Sequence, residues 1–187
     1  IAVSNSAILM MHSQSTLNGK VHLTGDGSIE ADISDRVSTL GEKASQINAN
    51  ITGEGLLIKS GHGRLTLTGD ASNTRGVELT GGELEVRSTV SGPLNMGYYT
   101  TLSGAGTFSQ VTGGENSVFF PGMHRQSENE WSVMKMGKLV TGENNQLILY
   151  SDFTTNATDR LLIEGDLVTT DNDPLLVSIH SLGSWQN

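Results

Sequence analysis

A short glycine motif recurs along this chain and constrains its fold more than any other feature of the sequence. An aliphatic residue, a hydroxyl residue, Gly, any residue and Gly follow one another at 23–27, 51–55 and 102–106. The distance along the chain from the second copy to the third is about twice that from the first to the second. Partial copies lie between the second and the third, at 67–70 and 79–82. A motif that returns every few tens of residues predicts a solenoid, in which each coil contacts only its neighbours.

Between the glycines, apolar and polar residues alternate. This period of two predicts short, half-buried strands with Leu65, Leu67, Leu84 and Val86 inside. Residues such as Thr66 are expected outside, where substitution should matter little. Gly allows the φ > 0 conformations of sharp corners, and neighbouring strands stack about 4.8 Å apart. The sequence therefore predicts an all-β chain folded as a parallel β-helix with a polar exterior.

One segment, Ser34 to Ile47, departs from this pattern. Val37, Leu40 and Ile47 stand at helix-like spacing around a glycine. Both a short helix and a loop outside the stack fit this spacing, and the sequence favours neither.

The aromatic residues divide the chain into two parts. All nine follow Met96, and because large rings bury the most area per residue, we expect the denser core in the C-terminal part. We therefore divide the chain into 1–97, which forms coils with aliphatic ladders, and 98–187, which forms the aromatic-rich final coils and a cap. The residues predicted for the folding core are Tyr98, Tyr99, Phe108, Phe119, Phe120, Trp131, Tyr150 and Phe153.

Three uninterrupted apolar runs lie in the C-terminal part, at 147–150, 161–163 and 175–177. Continuous runs of this length are typical of strands that are covered on both faces. A solenoid also needs a cover over its last coil, because an open strand edge pairs with other chains. We expect this cap within 119–183.

Charge and composition exclude several classes of partner and site. The 11 basic and 20 acidic residues give a net charge of −9, the wrong sign for binding nucleic acid phosphates. The absence of Cys excludes disulfides, zinc–thiolate sites and thiol nucleophiles. The chain starts at Ile1 without an initiator Met or a signal peptide, which indicates a fragment of a longer polypeptide.

Three glutamates are the strongest candidates for catalysis. Glu78, Glu83 and Glu85 lie on neighbouring predicted strands and fit the pair of carboxylates that glycoside cleavage requires. A solvated acidic face, with Arg75 and Arg87 as counter-ions, is the simpler interpretation and the one we favour.

The other reactive residues predict no active site. The five His residues form no spaced ligand pair, and no serine nucleophile elbow or phosphate-binding loop is present in the sequence. Asp166, Asp171 and Asp173 fit a polar loop better than a calcium-binding repeat. We therefore expect a protein that is not an enzyme, with no catalytic residues, no cofactor and no metal.

Two longer motifs carry a resemblance to a known family. The stretch 53–69, followed by 81–86, resembles the passenger-associated strand repeat of bacterial autotransporters. That repeat runs as a glycine pair, an aliphatic-Lys-x-Gly step, a Gly-x-Leu-x-Leu strand, a polar turn and a Gly-Gly-x-Leu-x-Val strand. Downstream, Phe120-Pro121-Gly122 and the strands predicted at 146–150, 158–165 and 175–177 are similar to the C-terminal passenger region of pertactin-like autotransporters. The resemblance covers about residues 51–183.

This resemblance implies a function. Passengers of this family cross the outer membrane through a β-barrel by type V secretion, fold outside as a right-handed parallel β-helix, and carry a C-terminal autochaperone region. The implied location is the bacterial cell surface, or the medium after release. The implied partners are the C-terminal β-barrel translocator and the upstream passenger of the same polypeptide, with a host protein such as the actin-assembly machinery as a further candidate.

The leading expectation is therefore a segment of a surface-displayed virulence factor or adhesin, whose C-terminal part promotes folding and outer-membrane translocation of the passenger. The alternative is a carbohydrate-active or carbohydrate-binding β-helix protein. A third hypothesis is a host-protein-binding surface within this segment itself.

Overall fold

The computed structural model describes residues 1–33, 45–122, 131–169 and 173–181. Within these ranges every helix or strand element is a β-strand, as the alternation predicts. In chain order the strands are β1 (Ala2–Ser4), β2 (Ile8–His12), β3 (Thr16–Leu17), β4 (Lys20–Thr24), β5 (Ser28–Asp32), β6 (Ser45–Ile47), β7 (Asn50–Gly53), β8 (Leu56–Ser60), β9 (Arg64–Leu67), β10 (Val77–Leu79), β11 (Glu83–Val86), β12 (Thr89–Met96), β13 (Thr101–Ser103), β14 (Thr107–Thr112), β15 (Val118–Phe120), β16 (Val133–Val140), β17 (Gln146–Asp152), β18 (Ala157–Thr158), β19 (Arg160–Ile163), β20 (Leu167–Val168) and β21 (Leu176–Ser181).

The strands form two long sheets and a third face. Sheet 1 runs in the order β2, β5, β8, β10, β12, β14, β16, β19, with β20 beside β16. Sheet 2 runs in the order β3, β6, β9, β11, β13, β15, β17, β18, with β21 beside β17. The third face consists of β1, β4 and β7, and single bridges through Ala71 continue it to Val90.

Successive coils stack through parallel pairing. We number them coil 1 (β1–β3), coil 2 (β4–β6), coil 3 (β7–β9), coil 4 (Ala71, β10 and β11), coil 5 (β12 and β13), coil 6 (β14 and β15), coil 7 (β16 and β17) and coil 8 (β19–β21). Each strand pairs in parallel with its equivalents in the adjacent coils, whereas the short β18 is antiparallel to β17. The chain is therefore a parallel β-helix, which confirms the fold predicted from the repeat.

Three apolar ladders fill the interior, one behind each face. All their members are buried. The four residues predicted to be inside are buried too, with Leu65 and Leu84 in the ladder of sheet 2 and Leu67 and Val86 paired in the row beside it. Pairing register gives the ladder of sheet 1 as Ile29, Leu57, Val77, Leu94, Val111 and Leu139; that of sheet 2 as Leu65, Leu84, Leu102, Phe119 and Leu147; and that of the third face as Val21, Ile51, Ala71, Val90, Phe108 and Met136. The ladders continue without a break from the coils before residue 97 to the coils after it. The division of the chain into 1–97 and 98–187 stays a prediction.

The glycine motif marks corners, but not always the same corner. The copies at 23–27 and 51–55 span the ends of β4 and β7, and a Cβ added at Gly55 would collide with the carbonyl oxygen of Gly27 directly beneath it. The copy at 102–106 spans the end of β13 on sheet 2 instead, where Leu102 pairs with Leu84. The repeat therefore predicted the solenoid correctly. The spacing between its second and third copies does not give the length of a coil, because the third copy lies at a different corner.

The segment predicted as a helix or a loop contains a strand. Ser45, Gln46 and Ile47 form β6, and Ile47 continues the interior beneath Leu67. The rest of that prediction, residues 34–44, lies outside the described residues.

At the C-terminal end the interior ladders reach solvent. Leu167 pairs with Leu139, and Val177 and Ile179 pair with Leu147 and Leu149, yet all three of these last-coil side chains are exposed. Of the three runs predicted to be covered on both faces, those at 161–163 and 175–177 lie in coil 8 and are exposed or half-buried, because β19, β20 and β21 have strand neighbours on one side only among the described residues. The run at 147–150 lies in coil 7, where Leu147 is buried and the next three residues are half-buried. Within the described part of 119–183, the chain adds coils to the stack and no separate cap is seen.

Candidate functional site

Two of the predicted core rings lie in the interior ladders. Phe108 stands between Val90 and Met136 on the third face, and Phe119 stands between Leu102 and Leu147 in sheet 2. Both are fully or almost fully buried. They replace aliphatic side chains in the same rows of earlier coils, so the rings belong to the same continuous core.

Three further predicted rings lie outside the ladders. Phe120 packs on the outer side of sheet 2 against Tyr150, with 5.2 Å between ring centroids, and Tyr150 meets His180 edge-on at 6.0 Å. Phe120 is buried, whereas Tyr150 and Trp131 are half-buried. Among the nine aromatic residues, Trp185 lies outside the described part of the chain.

Tyr98, Tyr99 and Phe153 are not core residues, which corrects the sequence prediction. Their exposed fractions are 68%, 76% and 61%. The two tyrosines occupy the turn between β12 and β13, and Phe153 follows the end of β17. These three rings lie outside the ladders and extend into solvent, so ring size does not decide their burial.

The turn of Tyr98 and Tyr99 in coil 5 has equivalent turns between sheet 1 and sheet 2 in coils 6 and 7. The backbone N–H of Tyr99 donates to the carbonyl of Glu115 in coil 6 at 3.1 Å, and that of Asn116 donates to the carbonyl of Glu143 in coil 7 at 2.8 Å. The three turns therefore stack directly on one another. We call their outer residues, Tyr98, Tyr99, Glu115, Asn116, Glu143 and Asn144, the tyrosine ridge.

Buried polar side chains hold these turns in place. Thr100 Oγ1 donates to the carbonyl of Gly97 at 2.9 Å, and Ser117 Oγ donates to the carbonyls of Gly114 at 2.7 Å and Gly97 at 3.1 Å. Asn145 Nδ2 donates to the carbonyl of Gly114 at 2.5 Å. The ridge is thus a fixed surface on a rigid support.

Tyr99 adopts a backbone conformation that suits other residues better. Its φ is 54°, and the equivalent Asn116 and Asn144 have φ of 57° and 53°. Asn and Gly tolerate this left-handed region, whereas a bulky side chain there is strained. The ring of Tyr99 gains no burial in return. An exposed, strained tyrosine beside a second exposed tyrosine is typical of a contact surface.

The ridge is also acidic. Glu143 and Asn144 are exposed, and the half-buried Glu115 carboxylate accepts a hydrogen bond from Asn116 Nδ2 at 3.1 Å. Aromatic faces and carboxylates both attract cationic groups, and carboxylates also accept hydrogen bonds from hydroxyl groups. The ridge therefore offers stacking area together with hydrogen-bond acceptors.

The three candidate glutamates do not form one site. Glu78 lies on sheet 1 and accepts a hydrogen bond from Asn95, whereas Glu83 and Glu85 lie on sheet 2. Glu85 is only 2% exposed, and its carboxylate accepts a 2.6 Å hydrogen bond from Arg87 Nε. The predicted solvated acidic face is therefore wrong for Glu85. Arg75 pairs with Asp26 at 3.0 Å instead of with these glutamates.

A polar turn adjoins Phe153. The Asp152 carboxylate accepts hydrogen bonds from the hydroxyls of Thr154 at 2.6 Å and Thr155 at 2.8 Å, and from the backbone N–H of Thr154. These hydrogen bonds, first of all that of Thr154, lower the pKa of Asp152 to about 2. The turn is held locally by its own side chains and brings no reactive group to Phe153.

The described residues contain no group of three or more His, Asp or Glu side chains placed to hold a metal ion. Asp166 is exposed and Asp173 half-buried, while Asp171 falls outside the described ranges. None of the described residues forms a helix with the length and hydrophobicity of a membrane span.

Comparison with known proteins gives one informative match. Over 86 residues the chain is 35% identical to the "Adhesin BmaC autotransporter" of Brucella suis biovar 1 (strain 1330). The match covers 46% of this chain but only 2% of the adhesin. No family model matches the chain, and no solved structure matches it. The chain is thus similar to a small part of an autotransporter adhesin, and its stack of parallel strands fits an autotransporter passenger.

Proposed function

We propose that this chain is a segment of the surface-displayed passenger of an autotransporter adhesin, and that the tyrosine ridge is the surface through which it contacts a host partner. The observation that carries the proposal is the sequence identity of 35% with an autotransporter adhesin over 86 residues. The parallel β-helix agrees with it, because such a stack presents a long lateral surface on a rigid core. The exposed Tyr98 and Tyr99 supply a contact of the kind that dominates interface energies.

Surface location is tested on intact cells that carry the parent polypeptide. An antibody raised against the 187-residue chain should label these cells without permeabilisation, and protease added outside should remove the label. A cytoplasmic protein serves as the control for cell integrity. Labelling that requires permeabilisation would contradict the proposal.

The adhesive role is tested by competition. The purified chain should reduce attachment of these cells to host cells, and a chain with Tyr98→Ala and Tyr99→Ala should not. Thr107→Ala, an exposed substitution on β14 away from the ridge, is the matched control and should compete like the unaltered chain. Equal competition by all three chains would exclude the ridge as the contact surface.

We further propose that residues 98–187 promote folding and translocation of the passenger. Phe108 and Phe119 place the largest buried rings of the described core in this part, and solenoid stability propagates from coil to neighbouring coil. Limited proteolysis of the full chain in increasing denaturant, with mass analysis of the surviving piece, tests this. A survivor that begins beyond Ser91 is the expected result, and an N-terminal survivor would contradict it.

A carbohydrate-binding role is the second candidate, and the composition of the ridge favours it. Aromatic rings stack on sugar faces and carboxylates accept hydrogen bonds from sugar hydroxyls, so Tyr98, Tyr99 and Glu143 suit such a ligand. Binding of the purified chain to a glycan array, lost with Tyr98→Ala and Tyr99→Ala, would favour this role over protein adhesion. We infer that the chain acts by binding and not by catalysis; turnover of a bound glycan would contradict this.

A further inference from the structure

Asn18 is followed by a glycine, and no other asparagine of the chain is. Asn18 and Gly19 lie between β3 and β4, at the corner that leads from sheet 2 to the third face, and both are exposed. The backbone nitrogen of Gly19 can reach the side-chain amide carbon of Asn18 by closing a five-membered ring. Glycine leaves this approach unhindered, because it has no Cβ. The corner therefore holds an electrophile and a nucleophile within one dipeptide.

The same corner recurs in coils 2 and 3. Pairing register sets Gly19 against Ala49, and Ala49 against Gly69. The N–H of Ala49 donates to the carbonyl of Leu17 at 3.1 Å, and that of Gly69 donates to the carbonyl of Ile47 at 3.2 Å. Among the described residues, no backbone carbonyl accepts a hydrogen bond from the N–H of Gly19. The nitrogen of Gly19 is thus available at a corner where its equivalents are engaged.

Gly19 also has more room than the equivalent glycine of coil 3. A Cβ built on Gly19 would meet no atom within 4 Å, whereas one built on Gly69 would collide with the carbonyl oxygen of Ala49. Ring closure needs a small movement of the glycine backbone towards the preceding side chain. The corner of coil 1 permits this movement, and the packed corner of coil 3 opposes it.

The side chain of Asn18 takes part in a surface contact between coils. Its Oδ1 accepts a 2.9 Å hydrogen bond from Asn48 Nδ2, and Asn48 Oδ1 accepts one at 2.6 Å from Thr68 Oγ1. All three residues are exposed. Water replaces an exposed hydrogen bond at little cost in free energy. The Asn18 side chain can therefore leave Asn48 and turn towards the nitrogen of Gly19.

We propose that Asn18 is a site of spontaneous modification, at which the folded chain converts asparagine to aspartate and isoaspartate with water as the co-reactant. The N–H of Gly19 loses its proton to a base in the solvent, and the nitrogen attacks Cγ of Asn18. A new C–N bond closes a succinimide ring, and the side-chain nitrogen takes up a proton from water and leaves as ammonia. Water then opens the ring at either of its two carbonyls, and no atom is oxidised or reduced.

The two products affect the corner differently. Aspartate keeps the length of the main chain, and its carboxylate accepts a charge-assisted hydrogen bond from Asn48 Nδ2 in place of the neutral one. Isoaspartate adds one methylene group to the main chain between β3 and β4. The pairings of Thr16 with Gln46 and of Lys20 with Asn50 then cannot both keep their present geometry. Either product adds a negative charge, and isoaspartate also loosens coil 1. The inference does not depend on the proposed adhesive function.

Conversion is measured by mass spectrometry. The 187-residue chain is incubated at mildly alkaline pH and digested, and the peptide that contains Asn18 is analysed for replacement of its amide NH2 by OH. Isoaspartyl methyltransferase with a labelled methyl donor identifies the isoaspartate. A synthetic peptide of residues 15–22 gives the unhindered rate in the same buffer. Asn18 in the folded chain should convert within about fivefold of the peptide rate, and a larger slowing would overturn the proposal. Conversion should slow at mildly acidic pH, because the first step needs a base.

Thr68→Asn provides the matched control, since it places a second Asn–Gly sequence at the same corner of coil 3. A peptide of residues 65–72 with this substitution should convert about as fast as the first peptide. In the folded chain, the site in coil 3 should convert at least about tenfold more slowly than Asn18. Equal rates at the two folded sites would overturn the proposal that the corner of coil 1 exposes Asn18. Circular dichroism checks the fold, and if Thr68→Asn does not fold, the comparison of Asn18 with its own peptide decides.

Discussion

Thr66 in coil 3 donates a 3.0 Å hydrogen bond to the buried carboxylate of Glu85 in coil 4, on the outer side of sheet 2. Arg87 Nε donates to the other carboxylate oxygen at 2.6 Å, and Arg64 Nε lies 3.7 Å from the first. Thr66 and Glu85 are directly paired across β9 and β11, and both are buried. The outer face of the sheet thus contains a buried polar contact between coils, contrary to the expectation that Thr66 matters little.

Thr66→Val should destabilise the chain by about 1.5–3 kcal/mol, since it removes a hydrogen bond to a buried charged group while keeping the shape of the side chain. Chemical denaturation followed by circular dichroism measures the change. Thr107→Val, on the exposed side of β14, is the control and should stay within about 0.5 kcal/mol. Equal effects of the two substitutions would show that the contact with Glu85 contributes nothing.

Gly55→Ala should destabilise the chain by about 1–3 kcal/mol or more, because its Cβ would collide with the carbonyl oxygen of Gly27 and force the two coils apart. Gly97→Ala is the matched control. A Cβ at Gly97 would lie 3.3 Å from the nearest atom, the carbonyl oxygen of Leu79, which a small shift accommodates. Thermal unfolding of both variants compares them, and a Gly97 variant as unstable as the Gly55 variant would contradict this account.

Phe119→Ala should lower the free energy of unfolding by about 3–5 kcal/mol, since it leaves a cavity between Leu102 and Leu147 in the sheet 2 ladder. In the full-length parent, it should also reduce the amount of folded, protease-resistant passenger at the cell surface. Tyr98→Ala removes an equally large ring from the surface and should do neither. Loss of surface passenger with Tyr98→Ala would mean that exposed rings also contribute to folding.

Tyr99→Asn should stabilise the chain slightly, by up to about 1 kcal/mol, because Asn tolerates the positive φ of this position better than Tyr does. The same variant should compete less well in the attachment assay, since the ridge loses one of its two rings. Denaturation and competition are measured on the same protein. A variant that is both less stable and fully adhesive would show that Tyr99 has a structural role.

Stability should rise with pH between about 8 and 10.5. Burial lowers the pKa of Lys59 from 10.5 to about 8 in the folded chain, so in this window the unfolded state binds more protons and a higher pH favours folding. Below pH 8 the lysine is protonated in both states and adds no slope. Urea denaturation across this range measures the effect. Lys59→Met should lack this rise, and an identical slope in the variant would contradict the assignment to Lys59.

Local patterns in the sequence were enough to predict the strands and their inward faces. Alternation in 64–67 and 83–86 placed Leu65, Leu67, Leu84 and Val86 inside, and all four are fully buried. This works because a strand repeats every two residues wherever it lies, so the buried set follows from the chain alone. The recurring glycines identified the solenoid for a similar reason, since close stacking of corners leaves no room for a side chain.

Tertiary structure decided which polar and aromatic residues the coils bury. Lys59 is buried because three backbone carbonyls, at the end of β8 and in the turns beyond β8 and β10, accept hydrogen bonds from its ammonium group. Glu85 is buried because Thr66 and Arg87 donate hydrogen bonds to its carboxylate. Tyr99 and Phe119 are both large rings, yet one lies in a turn and the other in a ladder. The coils differ in length, and their lengths decide which residues of successive coils become neighbours. The alternation within a single strand does not contain this information, so these environments could not be predicted from it.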